Sequence, residues 1–208
     1  MKKYFNRLKI LHKIIISGLV FTLPICILLY YMISGFNNNI DFARMEIWGS
    51  RLLTPLTRLA ELIPEHQLLI RIYLQGDTSV QEKIDVLAKK IDESFAILNT
   101  EGKKYEKDLR IDEKSLKARE MENIHYSRIL KIWQELSKSY KSNSTVQNDV
   151  EHETLIQPVQ ALIKRIGDTS NMILDPDLDS YYMMHVAIDT MPKTLGKLSE
   201  FLLFGESV

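Results

Sequence analysis

Three aspartates and two tyrosines stand close together in the segment NMILDPDLDSYYMM, residues 171–184. Acidic residues at alternating positions can bind calcium, but a loop of the EF-hand type needs glycine at its sixth position and glutamate at its twelfth. Counted from Asp175, those positions hold Ser180 and Val186, so the pattern does not predict such a calcium loop. It predicts a helix start, in which Asp175 is the cap and Pro176 the first helical residue.

Histidines are the other side chains that could bind a metal or a ligand. Glu122 and His125 have the E-x-x-H spacing that puts two ligands on one helix face in di-iron bundles, but such sites need a second copy and further glutamates. The chain offers only an aspartate variant, Asp149 with His152. We therefore expect no metal and no cofactor.

A small-molecule pocket is the other function that these residues could serve. His66 and His185 are both embedded in apolar sequence and could face each other across a helical bundle. One interpretation makes each a core histidine with a satisfied hydrogen bond, and the other places them at a ligand site. The residues that we take as the ligand-binding hypothesis are His66, Asp175, Asp179, Tyr181 and Tyr182.

Catalysis is not expected. The sequence contains no G-x-S-x-G segment, no phosphate-binding glycine loop and no zinc-ligand spacing. Its only cysteine, Cys26, lies in an apolar segment and can form no disulfide within the chain. We expect neither an enzyme nor catalytic residues.

Helices must position these side chains, because apolar residues recur at intervals of three and four, which indicates one buried face per helix. Polar breaks at residues 75–79 and 141–149 predict turns between antiparallel helices. In the first break, Thr78 and Gln81 have the spacing of a capping box. Residues 99–115 are highly charged and form either a loop or a solvated helical extension. The stripes are Val80, Ile84, Leu87, Ile91, Phe95 and Leu98; Tyr126, Ile129, Trp133, Leu136 and Tyr140; and Leu155, Val159, Leu162, Ile166 and Ile173.

A membrane helix is predicted near the N-terminus. Residues 14–34 contain no charge over about twenty positions, the length that a helix needs to cross the hydrocarbon core. Five basic residues precede it, which predicts a cytoplasmic N-terminus and an external remainder. A cleaved signal peptide is the alternative, but its apolar stretch is usually shorter and ends in small residues.

The predicted fold class is all-α, with three regions. Residues 1–13 form a basic cytoplasmic N-terminus, residues 14–36 a transmembrane helix, and residues 37–208 an extracytoplasmic up-down bundle of four to five long helices. Lysine plus arginine equals aspartate plus glutamate at 27 each, so the +5 of residues 1–13 leaves −5 for the rest. A net acidic bundle does not favour nucleic acid as a partner.

Two segments of the sequence resemble the input regions of bacterial transmembrane receptors, chiefly methyl-accepting chemotaxis proteins and sensor histidine kinases. GSRLLTPLTRLAELIPEHQLLIRIYLQGD, residues 49–77, is similar to the first sensor helix of that group. DTSNMILDPDLDSYYMM, residues 168–184, is similar to the helix, cap and second helix that recur there. The chain departs from the group at Gln67 and Leu68, where an arginine and a glycine often follow the histidine.

The resemblance implies the ligand-sensing input portion of a chemotaxis receptor, without the HAMP linker and the signalling output domain and therefore truncated at the C-terminus. It implies a single-pass protein of the bacterial inner membrane with a periplasmic bundle. The implied partners are the lipid bilayer, an unknown small-molecule or periplasmic-protein signal, and a second copy of the chain or a full-length receptor. The alternative is a membrane-anchored structural or adaptor bundle that binds a partner protein. A buried pocket with convergent polar groups would favour the sensor, and a dry core with an exposed apolar stripe the adaptor.

Overall fold

The computed structural model describes residues 9–172, together with residues 186, 190 and 194. Over residues 9–172 the chain is helical and contains no β-strand, which confirms the predicted class for this part. Short 3₁₀ turns at Thr78–Val80, Glu122–Ile124 and Tyr140–Ser142 connect the helices. The helices are α1 (Ile10–Leu74), α2 (Gln81–Tyr105), α3 (Glu113–Lys117), α4 (Tyr126–Ser139) and α5 (Thr145–Thr169).

Helix α1 is 65 residues long and includes the apolar segment of residues 14–34. Among the described helices it alone is long and apolar enough to cross a membrane, and no residue of its most apolar window is buried. The predicted boundary between residues 36 and 37 falls inside this helix, which continues to Leu74. One helix thus contains both the candidate membrane span and the segment with His66.

Contacts divide the chain into two compact units, Met1–Arg44 and Met45–Val208. The second unit contains the hydrophobic core, to which all five of these helices contribute. The three apolar stripes are buried at every described position, as the helical spacing predicts. Trp133 and Phe95 are the largest of the fully buried side chains.

The end of α1 forms a Schellman motif. Gly76 has a φ of +111°, its N–H donates to the carbonyl of Tyr73, and the N–H of Asp77 donates to the carbonyl of Ile72. Asp77 then caps the following 3₁₀ turn, because its carboxylate accepts from the backbone N–H of Ser79 at 2.9 Å. The predicted capping box of Thr78 and Gln81 is therefore wrong, since the capping side chain is one residue earlier.

The charged segment of residues 99–115 contains a helical extension followed by a turn, so both predicted alternatives occur in it. Helix α2 extends to Tyr105, a turn follows, and α3 begins at Glu113. Leu109 and Ile111 anchor the turn, because both are buried in the core. The second polar break is shorter than predicted, since α5 already begins at Thr145.

Gly49 allows a close approach between α1 and the residue that follows α5. A Cβ atom added at Gly49 would lie 2.3 Å from the Cβ of Ser170, well inside van der Waals contact. The glycine is therefore required by packing, although its backbone is helical.

Candidate functional site

A pair of buried histidines joins α1 to α5. The Nδ1 atom of His66 lies 2.9 Å from the Nε2 atom of His152, and both side chains are fully buried. The helical spacing places His66 on the face of α1 that also buries Leu59, Ile63 and Ile70. Two imidazoles from distant parts of the chain thus meet in the core, close to the buried side chain of Asn148.

Hydrogen bonds fix the tautomer of each ring. The Nδ1 atom of His152 lies 2.8 Å from the carbonyl oxygen of Asn148, and a carbonyl can only accept. In the neutral ring of His152, Nδ1 therefore carries the proton and Nε2 carries the lone pair. His66 must then donate from Nδ1 to His152, which leaves the lone pair of His66 on its own Nε2.

Two acceptors remain unused in this network. Nε2 of His66 and Oδ1 of Asn148 are buried and have no hydrogen-bond partner among the described residues. The side-chain amide of Asn148 is oriented through its nitrogen. Nδ2 donates to the carbonyl of Gln67 and to the carboxylate of Asp149, at 3.4 Å each. Buried acceptors without donors cost free energy, so each is a candidate contact for a ligand.

Aromatic side chains surround His66. The ring centroid of Trp133 lies 5.0 Å from that of His66, and the centroid of Tyr140 lies 6.3 Å away. Tyr73 in turn contacts Tyr140, with 6.3 Å between ring centroids. The indole N–H of Trp133 donates to Asp92 at 2.7 Å, so it does not donate to Nε2 of His66.

Burial keeps both histidines neutral. Desolvation, with a smaller contribution from His152, lowers the pKa of His66 from 6.5 to about 3. Desolvation also lowers the pKa of His152 to about 4, against the opposing effect of its bond to the Asn148 carbonyl. Burial penalises the charged imidazolium, which explains the common direction.

Charged and amide side chains extend the network toward the end of α1. Arg71 forms an ion pair with Asp149 at 3.1 Å, and the amide nitrogen of Gln67 donates to the same carboxylate at 3.1 Å. Gln67 thus serves as a structural contact between α1 and α5.

A groove also lies between α4 and α5. Its volume is about 230 Å³, and two carboxylates and two hydroxyls line it with two apolar residues. Neither His66 nor His152 belongs to this lining, so the groove and the histidine pair are separate features. The lining residues are Ile132, Glu135, Leu136, Ser139, Glu151 and Thr154.

The two motifs with metal-ligand spacing have structural roles. Glu122 lies in a 3₁₀ turn, and His125 caps α4 by accepting from the backbone N–H of Ser127 at 3.3 Å. Asp149 pairs with Arg71, while His152 faces His66. Within residues 9–172, no three histidine, cysteine or acidic side chains are grouped to hold a metal ion.

Only part of the predicted ligand site can be located. His66 is buried in the polar network, but Asp175, Asp179, Tyr181, Tyr182 and His185 lie outside the described residues. Sequence reasoning missed His152 as the partner of His66, and Asn148 as the partner of His152. Their spacing of four residues on one helix was the available signal, but only packing reveals that this face meets α1.

Comparisons with known proteins add no family assignment. No protein-family model, curated protein or solved structure matches this chain.

Proposed function

We propose that this chain is the ligand-sensing input portion of a transmembrane signal-transduction receptor, of the type used in chemotaxis. The observation that carries the proposal is that α1 contains both an apolar segment long enough to span a membrane and His66, which meets His152 in the core. The resemblance of residues 49–77 and 168–184 to receptor input regions supports the same function.

The proposed mechanism is a shift between two arrangements of the helices. A ligand that contacts the network of His66, His152 and Asn148 binds one arrangement of α1 against α5 more tightly than another. Binding therefore shifts the equilibrium between the two arrangements, by an amount set by the difference in the ligand's affinity for them. Because α1 is one helix, a change at His66 is passed along the chain toward the apolar segment.

The polar network distinguishes this proposal from the adaptor. An adaptor needs only an exposed surface, whereas a sensor needs polar groups that a ligand can reach and satisfy. Nε2 of His66 and Oδ1 of Asn148, which have no donor among the described residues, are buried polar groups that a ligand could satisfy. They favour the sensor.

Thermal unfolding of the full chain in lipid nanodiscs tests the proposal. The panel contains amino acids, organic acids, amines, nitrate and haem, each at several concentrations. A compound that binds the folded state raises the unfolding midpoint by mass action. We expect at least one class to do so, with the rise lost in His66→Phe.

The matched control is His125→Asn. It replaces another buried histidine, and asparagine preserves the capping acceptor of α4. The rise must persist in this variant. A folded chain whose midpoint no compound raises, while it captures a partner protein through an outer helix face, would favour the adaptor.

A further inference from the structure

We propose that a divalent phosphate group binds to the guanidinium of Arg165, together with the guanidinium groups of Arg110 and Arg119. This site goes beyond the proposed function and does not depend on it. Arg165 lies roughly 20 Å along α5 from His152, so the site is separate from the network around His66.

The guanidinium of Arg165 is a buried positive charge without a counter-ion in the described part of the chain. The residue is only 8% exposed and forms no ion pair with a described residue. An arginine cannot relieve this cost by losing its proton. A buried charge without an opposite charge beside it is unfavourable, so desolvation at this position favours the binding of an anion.

The N–H groups of Arg165 are only partly used. Nη2 donates to the backbone carbonyl of Arg110 at 3.2 Å, whereas Nε is buried and has no acceptor among the described residues. A guanidinium presents five N–H donors in a planar fork, which matches the oxygens of a phosphate group. An oxyanion at this position therefore gains charge-assisted hydrogen bonds.

Two exposed arginines add positive charge at the same place and leave it open to solvent. Arg110 lies in the turn after α2, and Arg119 lies just after α3. Neither forms an ion pair with a described residue. Burial, followed by the charge of Arg119, lowers the pKa of Arg165. The charge of Arg110 acts in the same direction, and the carboxylate of Asp168 opposes it.

The backbone of Arg110 supports a ligand site at this turn. Its φ is +51°, in the left-handed region that is unfavourable for a residue with a Cβ atom. The carbonyl of this same residue accepts from Arg165. Residues held in such conformations are concentrated at ligand sites and switch regions.

The charge of the cluster favours a dianion over a monoanion. Three guanidinium groups and the one carboxylate of Asp168 leave an excess of two positive charges. A phosphate group carries about two negative charges near neutral pH, whereas acetate or chloride carries one. Free phosphate and a phosphate monoester share this chemistry, and the experiment distinguishes them.

The test adds anions to the full chain in nanodiscs of zwitterionic lipid, at constant ionic strength and mildly alkaline pH. The anions are inorganic phosphate, glycerol 3-phosphate, acetate and chloride. We expect phosphate to raise the unfolding midpoint by about 3 to 5 °C for each tenfold increase above its dissociation constant. Acetate and chloride should not raise it. Calorimetric titration measures the dissociation constant directly.

Two variants at exposed positions test the site without disturbing the core. Arg119→Gln should weaken phosphate binding by up to about fivefold, the range of an exposed ion pair. Asp168→Asn should strengthen it, because the variant removes the one carboxylate that competes with the anion. Lys164→Gln is the matched control. It removes an exposed cation next to Arg165 in the sequence and should leave the dissociation constant nearly unchanged.

Two further variants address the buried groups. Arg165→Gln should abolish the rise with phosphate. His66→Phe should retain it, because the two sites are separate. If Arg165→Gln does not fold, Arg119→Gln and Asp168→Asn still decide the proposal.

A rise with glycerol 3-phosphate alone would support the site and identify a phosphate ester as its ligand. Other results would overturn the proposal. If chloride raises the midpoint as much as phosphate does, the effect is general screening of charge. If Arg119→Gln and Asp168→Asn both leave the dissociation constant unchanged, phosphate binds elsewhere. Loss of the rise in a folded His66→Phe variant, or no calorimetric binding at millimolar phosphate, would also contradict the proposal.

Discussion

Two neutral imidazoles in the core are the residues on which the proposed function depends. The hydrogen bond between His66 and His152 leaves Nε2 of His66 without a donor among the described residues. The buried rings also resist protonation, because a charge at this position would be desolvated. The pair is therefore stable as a neutral unit and sensitive to anything that adds a proton or a donor.

Acid should destabilise the folded chain through this pair. The pKa values of His66 and His152 are lowered to about 3 and about 4, so the unfolded chain binds more protons between these values and 6.5. The histidine contribution is fully present above pH 6.5 and decreases as the pH falls. Between about pH 7 and about pH 5, we expect a loss of up to about 2 kcal/mol per ring in the free energy of unfolding.

Urea unfolding at the two pH values measures this loss. The control is a double variant, His66→Phe with His152→Leu, which lacks both titrating rings. Its unfolding free energy should change much less over the same range. An equal change in the double variant would show that other groups cause the acid sensitivity.

At the scale of elements, the apolar spacing of the sequence was sufficient to identify the buried face of each helix. Every described stripe residue is buried, because helical geometry alone brings residues three and four apart to one side. Local spacing was insufficient for the cap, where Asp77 rather than Thr78 has the required extended backbone. Local spacing also could not identify His152 as the partner of His66. The two residues are 86 positions apart, so their contact depends on how whole helices pack.

The cap of the 3₁₀ turn before α2 gives a test of this correction. Asp77→Ala removes the carboxylate that accepts from Ser79, whereas Thr78→Ala leaves it in place. We expect the first variant to lower the unfolding midpoint and the second to leave it nearly unchanged. The reverse order would restore the capping box that the sequence predicted.

The close contact at Gly49 predicts a packing effect. Gly49→Ala must displace Ser170, because the added Cβ would lie 2.3 Å from the Cβ of that residue. We expect a loss of about 1 to 3 kcal/mol in the free energy of unfolding. Chemical denaturation of the variant measures it.

Gly35→Ala is the matched control for Gly49→Ala. It lies in the same helix, and nothing is within 4 Å of its added Cβ. Because the added Cβ at Gly35 has no neighbour to displace, the free energy of unfolding should change little in this variant. Equal losses in both variants would contradict the packing argument.

For the whole molecule, the proposed receptor function requires one membrane crossing. The sequence predicted the span and the basic flank, and α1 contains a helix of sufficient length and apolarity. The sequence could not predict that span and bundle share one helix, because its polar stretch after residue 36 is also compatible with a loop. The orientation across the membrane remains our prediction from the charge distribution.

Cysteine labelling tests the orientation. In a Cys26→Ser background, we expect Ser79→Cys to react with a membrane-impermeant maleimide in cells with a permeabilised outer membrane. Lys3→Cys should react only after the inner membrane is lysed. Unmodified Cys26 should resist the hydrophilic reagent, since it lies inside the apolar segment. Labelling of Lys3→Cys before lysis, with Ser79→Cys protected, would reverse the topology.

A distance measurement between α1 and α5 shows whether a ligand moves the two helices relative to each other. Spin labels replace Arg58 on α1 and Lys164 on α5, both exposed, in the full chain with Cys26→Ser in nanodiscs. The distance distribution is recorded with and without the compound that raises the unfolding midpoint most. Our account predicts that the compound changes the population of at least two distances and that His66→Phe removes the change. An unchanged distribution under conditions where the midpoint rises would contradict it, because the ligand would then bind without moving α1 against α5.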